Sequence, residues 1–548
     1  SCNKGYCSSV CCMYATKEAT IAKEHEREIE PTIFFMDMRA FGKDFDKYYQ
    51  RAQKQYGIRY IKSMVSSVKQ MQQTKNLKIK YIKNEREVVQ EEFDLVVLSV
   101  GLSPSENIQQ LGRRLGLELN KYGFCQTDVF SPVKTSRNGI YVCGAFQGPK
   151  DIPETVIQAS GAASFAQGDL ASERGSLVSK KEYPPEIDVR GQPPRIGAFI
   201  CQCGINIGGV VDVPAVVKYA QTLPHVVYAE DNLYTCSQDT QEAIKEKIKE
   251  HNLNRVIVAS CSPRTHEPLF QETIQEAGLN RYLFEMANIR DQCSWVHMQE
   301  PEAATEKAKD LVRMAVAKTA KLEPLQRLRL AVIPRGLVIG GGISGMSAAL
   351  SLAQQGFEVY LVEKEEELGG LMRNIHYSLE GKDTQEFLKD IKKQISENEL
   401  IQVFTNAQPK EISGYVGNFK TTLISGKELE HGIIIVATGA QELKTDEYLY
   451  GKNKKVVTQM ELEERLSRKS SKIDNLKSVV MIQCVGSRED TRPYCSRVCC
   501  SESIKNALKI KQANPEADIF VLYRDMRTYG FKEDYYQEAR EKGVIFVR

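Results

Sequence analysis

Between residues 196 and 325 short apolar runs, "RIGAFICQCG", "HVVYAED", "RVIVASCSPR" and "RYLFEMANI", alternate with charged amphipathic segments. Short apolar runs bounded by turn residues suit strands, and helices alternating with them predict an α/β domain with a parallel sheet. A second α/β unit opens at "RGLVIGGGISGMSAALSLAQQGFEVYLVEKE", where an apolar strand, a glycine loop, a helix and another strand follow in order. The polar, Pro- and Gly-bearing stretch 173–195 interrupts the pattern and reads as a linker.

The chain also repeats itself. "YCSRVCCSESIKNALKI…ADIFVLYRDMRTYGF" from residue 494 matches "YCSSVCCMYATKEATIA…PTIFFMDMRAFGK" from residue 6. Both predict a cysteine loop, a helix, a strand and a "DMR" turn. Either the chain is a piece of a longer tandem protein, or residues 336–548 and 1–172 combine as one permuted module. A permutation needs the cysteine segment only once, so the expectation is a fragment.

Composition narrows the chemistry. A net charge of +3 over 548 residues gives no electrostatic case for nucleic acid. Apolar stretches such as "GIIIVATGA" fall well short of the roughly 20 residues that span a bilayer, so no membrane insertion is expected. Ser1 is not an initiator Met and no charged-then-apolar leader follows, which suggests a processed or cut terminus. Fifteen cysteines, several adjacent, suit metal ligation in a reducing, cytoplasmic compartment better than a secreted disulfide framework.

In "GGGISG", Gly340, Gly342 and Gly345 permit a tight turn and close approach of a pyrophosphate to a helix N-terminus, with Ser344 in the same turn. Glu363, with Lys364 beside it, ends the next strand about 20 residues on, where an acid accepts ribose hydroxyls. "EELGG" (Gly369, Gly370) and "IIIVATGA" (Thr438, Gly439) resemble segments of two-dinucleotide-domain flavoproteins and favour FAD over NAD. "GIYVCGAFQGPKDIPETVIQASGAAS" resembles the segment that closes over the isoalloxazine there, with Gly144 at the turn and Thr155 on the helix; Ala145 replaces the usual Asp.

In such flavoproteins a second βαβ unit binds the nicotinamide nucleotide through its own glycine loop. Here "CVGSREDTRPYCSRVCC" stands in that place. Cys495 and Cys499 are expected on one helical face with Cys500 beside them, and Cys484 reaches them from the strand end. Four thiolates at a helix N-terminus predict a [4Fe–4S] site, with a Cys₄ zinc site or free thiols as alternatives. Cys7, Cys11 and Cys12 repeat three of these ligands, with Cys2 as a substitute for the fourth. In the middle domain Cys201, Cys203, Cys236 and Cys261 follow strand ends that share one crevice, and Cys293 lies in a loop; the alternative is separate buried thiols.

"CVGSR…YCSRVCC", "CSPRTHEP", "EMANIRDQCSWVH" and "KAKDLVRMAVAKTAKLEP" closely resemble the A-type subunit of heterodisulfide reductase and its bacterial homologues, over nearly the whole chain. The resemblance implies a thioredoxin-reductase-like, Rossmann-type FAD domain plus a separate small α/β domain. It maps 1–172 to the C-terminal part of a first flavin module, 196–325 to the N-terminal-type domain, 326–470 to the FAD domain and 471–548 to the βαβ unit with the cysteine loop. It further implies [4Fe–4S] clusters, electron bifurcation, and a lysine near flavin N5, Lys505 here and Lys17 in the first copy. Partners would be B- and C-type subunits and ferredoxin, hydrogenase or dehydrogenase donors, around a homodimer. Methanogen members insert a ferredoxin domain after "GG", whereas "GGLMRNIHYSLEGKDTQEFLKDI" runs straight through. The function expected is therefore flavin- and iron–sulfur-dependent electron transfer within a larger complex, against two alternatives. One is a scaffold with empty or partial flavin sites; the other is direct reduction by a pyridine nucleotide, for which no second glycine loop is present.

Overall fold

The computed structural model describes residues 4–83, 87–468 and 476–548; the boundary expected at 470/471 and Cys2 lie outside them. The chain forms two compact units, one of residues 175–330 and one that combines 1–174 with 331–548.

The smaller unit is a four-stranded parallel sheet of Ile196–Cys201, Val226–Asn232, Arg255–Ser260 and Phe284–Asn288, with the first strand between the second and third. The first and third strands are buried at every position. Helices cover both faces, so their sequences run continuously apolar instead of alternating. Val213–Gln221 and Pro301–Thr319 pack on one face through Val216, Ala308 and Val312, and Gln238–Glu250 and Pro263–Glu276 on the other through Ile244, Phe270 and Ile274.

In the larger unit the glycine loop belongs to a parallel sheet of Arg335–Ile339, Glu358–Val362, Ile401–Phe404 and Ile433–Val436. A three-stranded antiparallel sheet (Pro409–Tyr415, Asn418–Leu423, Glu428–His431) precedes its last strand. The second repeat contributes a parallel sheet of Ser478–Ile482, Asp518–Leu522 and Val544–Val547 with the helix Cys499–Ala513. The first repeat gives the same order in shorter form, the helix Cys11–His25 followed by paired strands Thr32–Phe35 and Arg59–Lys62.

Two of the contacts that join the two chain segments of this unit bear on the candidate site. The helix Ile152–Asp169 lies along the glycine-loop helix Ile343–Gln354. Ser164 Oγ is 2.6 Å from Ser351 Oγ, and Gly168 leaves room for Gln354 one turn further along both helices. The contacts advance together, so the two helix N-termini point the same way. The second contact is a seam between the two "DMR" turns. Met38 N–H donates to Asp525 and Met526 N–H to Asp37. Arg39 pairs with Glu533 at 2.7 Å and Arg527 with Asp46 at 2.5 Å. The equivalent rings Phe41 and Tyr529 stack with centroids 3.7 Å apart. Each repeat thus gives the other what it receives, the signature of a two-fold self-complementary interface.

Ile257 is fully buried in a central strand of the smaller unit. Ile257→Ala is expected to cost that unit about 2–5 kcal/mol, read from its denaturant midpoint; a loss below ~1 kcal/mol would contradict this packing.

Candidate functional site

The glycine loop is built to approach a ligand. A Cβ on Gly345 would lie 1.8 Å from the Gly340 carbonyl oxygen, and one on Gly340 would meet the Ala437 carbonyl at 2.3 Å. Only glycine lets strand, loop and helix close this tightly. A Cβ on Gly342 would meet nothing within 4 Å, and no side chain caps the helix that Gly342 starts. Its first amides, with exposed Ser344 among them, are free for an anion. Glu363 is buried and its two oxygens accept the amides of Gly341 at 2.6 Å and Glu365 at 2.9 Å. It therefore braces the loop in addition to the ribose role expected of it. Lys364 is exposed beside Glu365. Gly369 N–H donates to Gly341, and Gly370, at φ +52°, packs against Gly342. Thr438 and Gly439 are exposed just past the last strand.

At the parallel end of the helix Ile152–Asp169, Gly144 at φ +71° gives its amide to Gln158 and its carbonyl to Lys150. Thr155 caps back onto the Asp151 carbonyl. Burial pulls the Lys150 ammonium down to about 8. A cavity of about 1140 Å³ opens here, lined by Val10, Met13, Tyr14, Lys17, Ile152 and Thr155 among others. Lys17 and the isoalloxazine-closing segment, singled out separately in the sequence, thus share one cavity. Lys505 behaves differently. Its Nζ is buried between Glu463 at 2.7 Å, Glu502 at 2.9 Å and the Tyr377 carbonyl at 3.1 Å. Glu463 and Tyr377 had no sequence signal, because their spacing from Lys505 follows no local period.

The cysteine loops correct one expectation. The helices begin at Cys499 and Cys11, so Cys495 and Cys7 precede them and do not share their face. Arg497 and Ser9, at φ +68° and +65°, turn the backbone around the sulfur, and each amide donates to the Cys495 or Cys7 thiol. Cys484, buried at φ +62° past its strand, has the Cys499 and Cys495 thiols as charge neighbours, and Cys499 pairs with Cys500. Cys500 hydrogen-bonds Cys499 and pulls its thiol down to about 6, and the amides of Cys484, Cys499 and Cys500 add to this. The Cys500 thiol is correspondingly raised well above the usual range, and burial raises Cys484. In the first repeat Cys11 is lowered and Cys12 raised by the same pairing, while burial raises Cys7. No side chain caps either helix. Four neighbouring thiols around an uncapped helix N-terminus, with Cys499 lowered toward its thiolate, are a donor set whose chemistry fits a [4Fe–4S] centre. Among the described residues no three Cys, His, Asp or Glu side chains stand close enough to share a single metal ion.

In the smaller unit Cys201, Cys203, Cys236 and Cys261 gather at the C-terminal edge of the sheet. Burial raises Cys236 and Cys261, and each is raised further by neighbouring thiols of the group. Arg290 reaches both Cys203 and Cys261. Cys293 lies in a π-helical turn, not an open loop, and its thiol donates to the Ala304 carbonyl at 3.1 Å.

A glycine phosphate loop, an adjoining Rossmann-type sheet and a second nucleotide-type unit with cysteines in its loop define a flavoprotein oxidoreductase of the two-dinucleotide-domain class. The pyridine nucleotide-disulphide oxidoreductase family matches residues 5–163, and an NAD(P)-binding Rossmann-like domain matches residues 338–388. The A-type subunit of the H(2):CoB-CoM heterodisulfide,ferredoxin reductase of Methanothermobacter thermautotrophicus is 38% identical over 453 residues, covering 65% of this chain and 69% of that one. An iron–sulfur A-type subunit of the CoB–CoM heterodisulfide reductase of Methanopyrus kandleri is 38% identical with the same coverage. Thioredoxin reductase from Lactococcus lactis aligns over 39% of this chain and 63% of its own at 16% identity, with a TM-score of 0.26. The chain belongs to the family of heterodisulfide reductase A-type subunits, and is an oxidoreductase subunit that works by flavin-dependent electron transfer. Among the described residues no helix is long and apolar enough to cross a membrane.

The lowered Cys499 thiol has a direct consequence. In metal-free protein, iodoacetamide labelling at Cys499, read by mass spectrometry, is expected to gain rate through about pH 6. Thiolate forms as pH rises past that value, whereas an ordinary thiol gains it near pH ~8.5. A labelling midpoint near the ordinary value would contradict the pairing of Cys499 with Cys500.

Proposed function

We propose that the larger unit holds FAD along the two parallel helices and a [4Fe–4S] centre at Cys484, Cys495, Cys499 and Cys500, and relays electrons between partner subunits. The observation that carries this reading is that, where a phosphate-binding glycine loop would stand, four neighbouring cysteines surround a helix N-terminus. Bound FAD supplies two-electron chemistry, and the cluster one-electron transfer. The free amides after Gly342 bind the pyrophosphate, and Glu363 holds that loop open while its remaining lone pairs take the ribose. The N-terminus of the helix Ile152–Asp169 faces the ring end, and Val10, Met13 and Ile152 offer the ring an apolar wall there. Lys17, in that cavity, sets an ammonium beside the ring where reduction leaves negative charge. Of the two lysines to which the resemblance gives this role, Lys17 is the one that lines the cavity, whereas the charge of Lys505 is compensated by Glu463 and Glu502.

The first-repeat cysteines Cys7, Cys11 and Cys12 and the group Cys201, Cys203, Cys236 and Cys261 are proposed as further cluster ligands. The relatives' names point to ferredoxin as a partner and a heterodisulfide as the final oxidant of the complex.

Cys499→Ser is expected to remove close to four irons per chain, the content of one such centre, and to leave flavin bound. Retention of all iron, or loss of zinc instead, would refute the assignment. Lys17→Met is expected to lower the flavin midpoint potential, measured by spectroelectrochemistry, because the reduced anion loses its counter-charge; an unmoved potential would take the ring out of this cavity.

A further inference from the structure

Four charged side chains are buried together where the repeats meet. Arg527 Nη2 lies 2.5 Å from Asp46 Oδ1, Arg488 Nε lies 3.1 Å from the same oxygen, and Arg488 Nη2 lies 2.9 Å from Asp525. Their side chains are between 1% and 8% exposed. Half-exposed Arg548 reaches Asp525 at 3.7 Å, and the Gln50 amide takes the other oxygen of Asp46. The Cys500 thiol points at the carbonyl of Asp525 at 3.9 Å, so this group of charges abuts the thiols, and the positive charge of Arg488 and Arg527 favours the Cys484 thiolate.

The origin of these groups matters more than their number. Arg488, Arg527 and Asp525 belong to the second repeat, together with the thiols beside them. Asp46 belongs to the first. The mirror arrangement holds on the other side. Arg39 stands beside Cys7 of its own repeat and is held by Glu533 of the other. A burial this deep leaves less solvent to screen the charges, so removing one carboxylate changes the field at the thiols more than it would at an exposed site.

We propose that each repeat sets the reduction potential of the other's cysteine site, Asp46 by neutralising Arg527 beside Cys484 and Cys495, and Glu533 by neutralising Arg39 beside Cys7. The inference rests on the iron–sulfur reading above. The step it concerns is the gain of one electron by the cluster, delivered by the flavin or a chemical reductant, with no bond made or broken and no proton moved. Added electron density is favoured by nearby positive charge. The carboxylate supplied across the seam reduces that charge and holds the potential down. Asp46 and Glu533 are positioning residues in this scheme, since neither touches the site directly.

The test is a dithionite titration of anaerobically purified protein followed by the EPR signal of the reduced centre, with iron content measured alongside. Asp46→Asn is expected to shift the midpoint to less negative values and Arg527→Gln to more negative ones. General loosening of the seam would move both in the same direction. The joint variant Asp46→Asn/Arg527→Gln, neutral overall, is expected to return the midpoint close to that of the unsubstituted protein. Breaking a buried pair from one side destabilises more than replacing both partners, so if one single variant does not fold, the other and the joint variant decide. Midpoints unmoved at full iron content, or shifted with the same sign, overturn the inference while the cluster assignment stands. Absence of iron from the unsubstituted protein overturns the cluster assignment and this inference with it.

Discussion

The larger unit depends on the burial of two guanidiniums, each held by a carboxylate from the far end of the chain. A buried charge without its partner costs several kcal/mol, so Arg39 needs Glu533 and Arg527 needs Asp46. The seam therefore acts as a condition on folding for residues 1–174 and 331–548. The cysteine sites are fixed to it. The Cys12 thiol points at the Asp37 carbonyl and the Cys500 thiol at the Asp525 carbonyl, and these two aspartates also take the crossed amide bonds of the seam.

A helix N-terminus lets one βαβ scaffold present two kinds of anion site. A helix N-terminus with free amides favours anions. After Ile339, glycines let a diffuse anion approach the backbone itself, with Gly342 facing open space. After Ile482, cysteines supply their own anions, and the amides that would have met phosphate instead lower the Cys499 thiol. The choice between nucleotide and thiolate chemistry lies in the few residues between strand and helix.

Much of this is legible in the sequence. The apolar runs of residues 196–325 become four parallel strands, because strands buried on both faces leave a continuous apolar record. The glycine loop and Glu363 show in their spacing, which a tight strand–turn–helix dictates. The helical placement of Cys495 fails because a four-residue spacing suits a helix and also a turn wrapped around a sulfur, as Arg497 at positive φ makes it. Resemblance alone points to Lys505 and Lys17 as flavin lysines; that Lys505 pairs with Glu463, more than forty residues away, is visible only after folding. The "DMR" turns are evident as a repeat, but their pairing is not, since self-complementarity is a property of two surfaces and leaves no local pattern.

The central claim, that both ends of the chain build one cofactor-bearing unit, is tested most directly by cutting the connection between them. A protease site placed in the exposed stretch 176–179 allows the chain to be cleaved under native conditions and passed over a sizing column. The account predicts that the two fragments elute together with flavin still bound and separate only in denaturant. Elution of the N-terminal fragment by itself, with flavin lost or left entirely on the other piece, would contradict it.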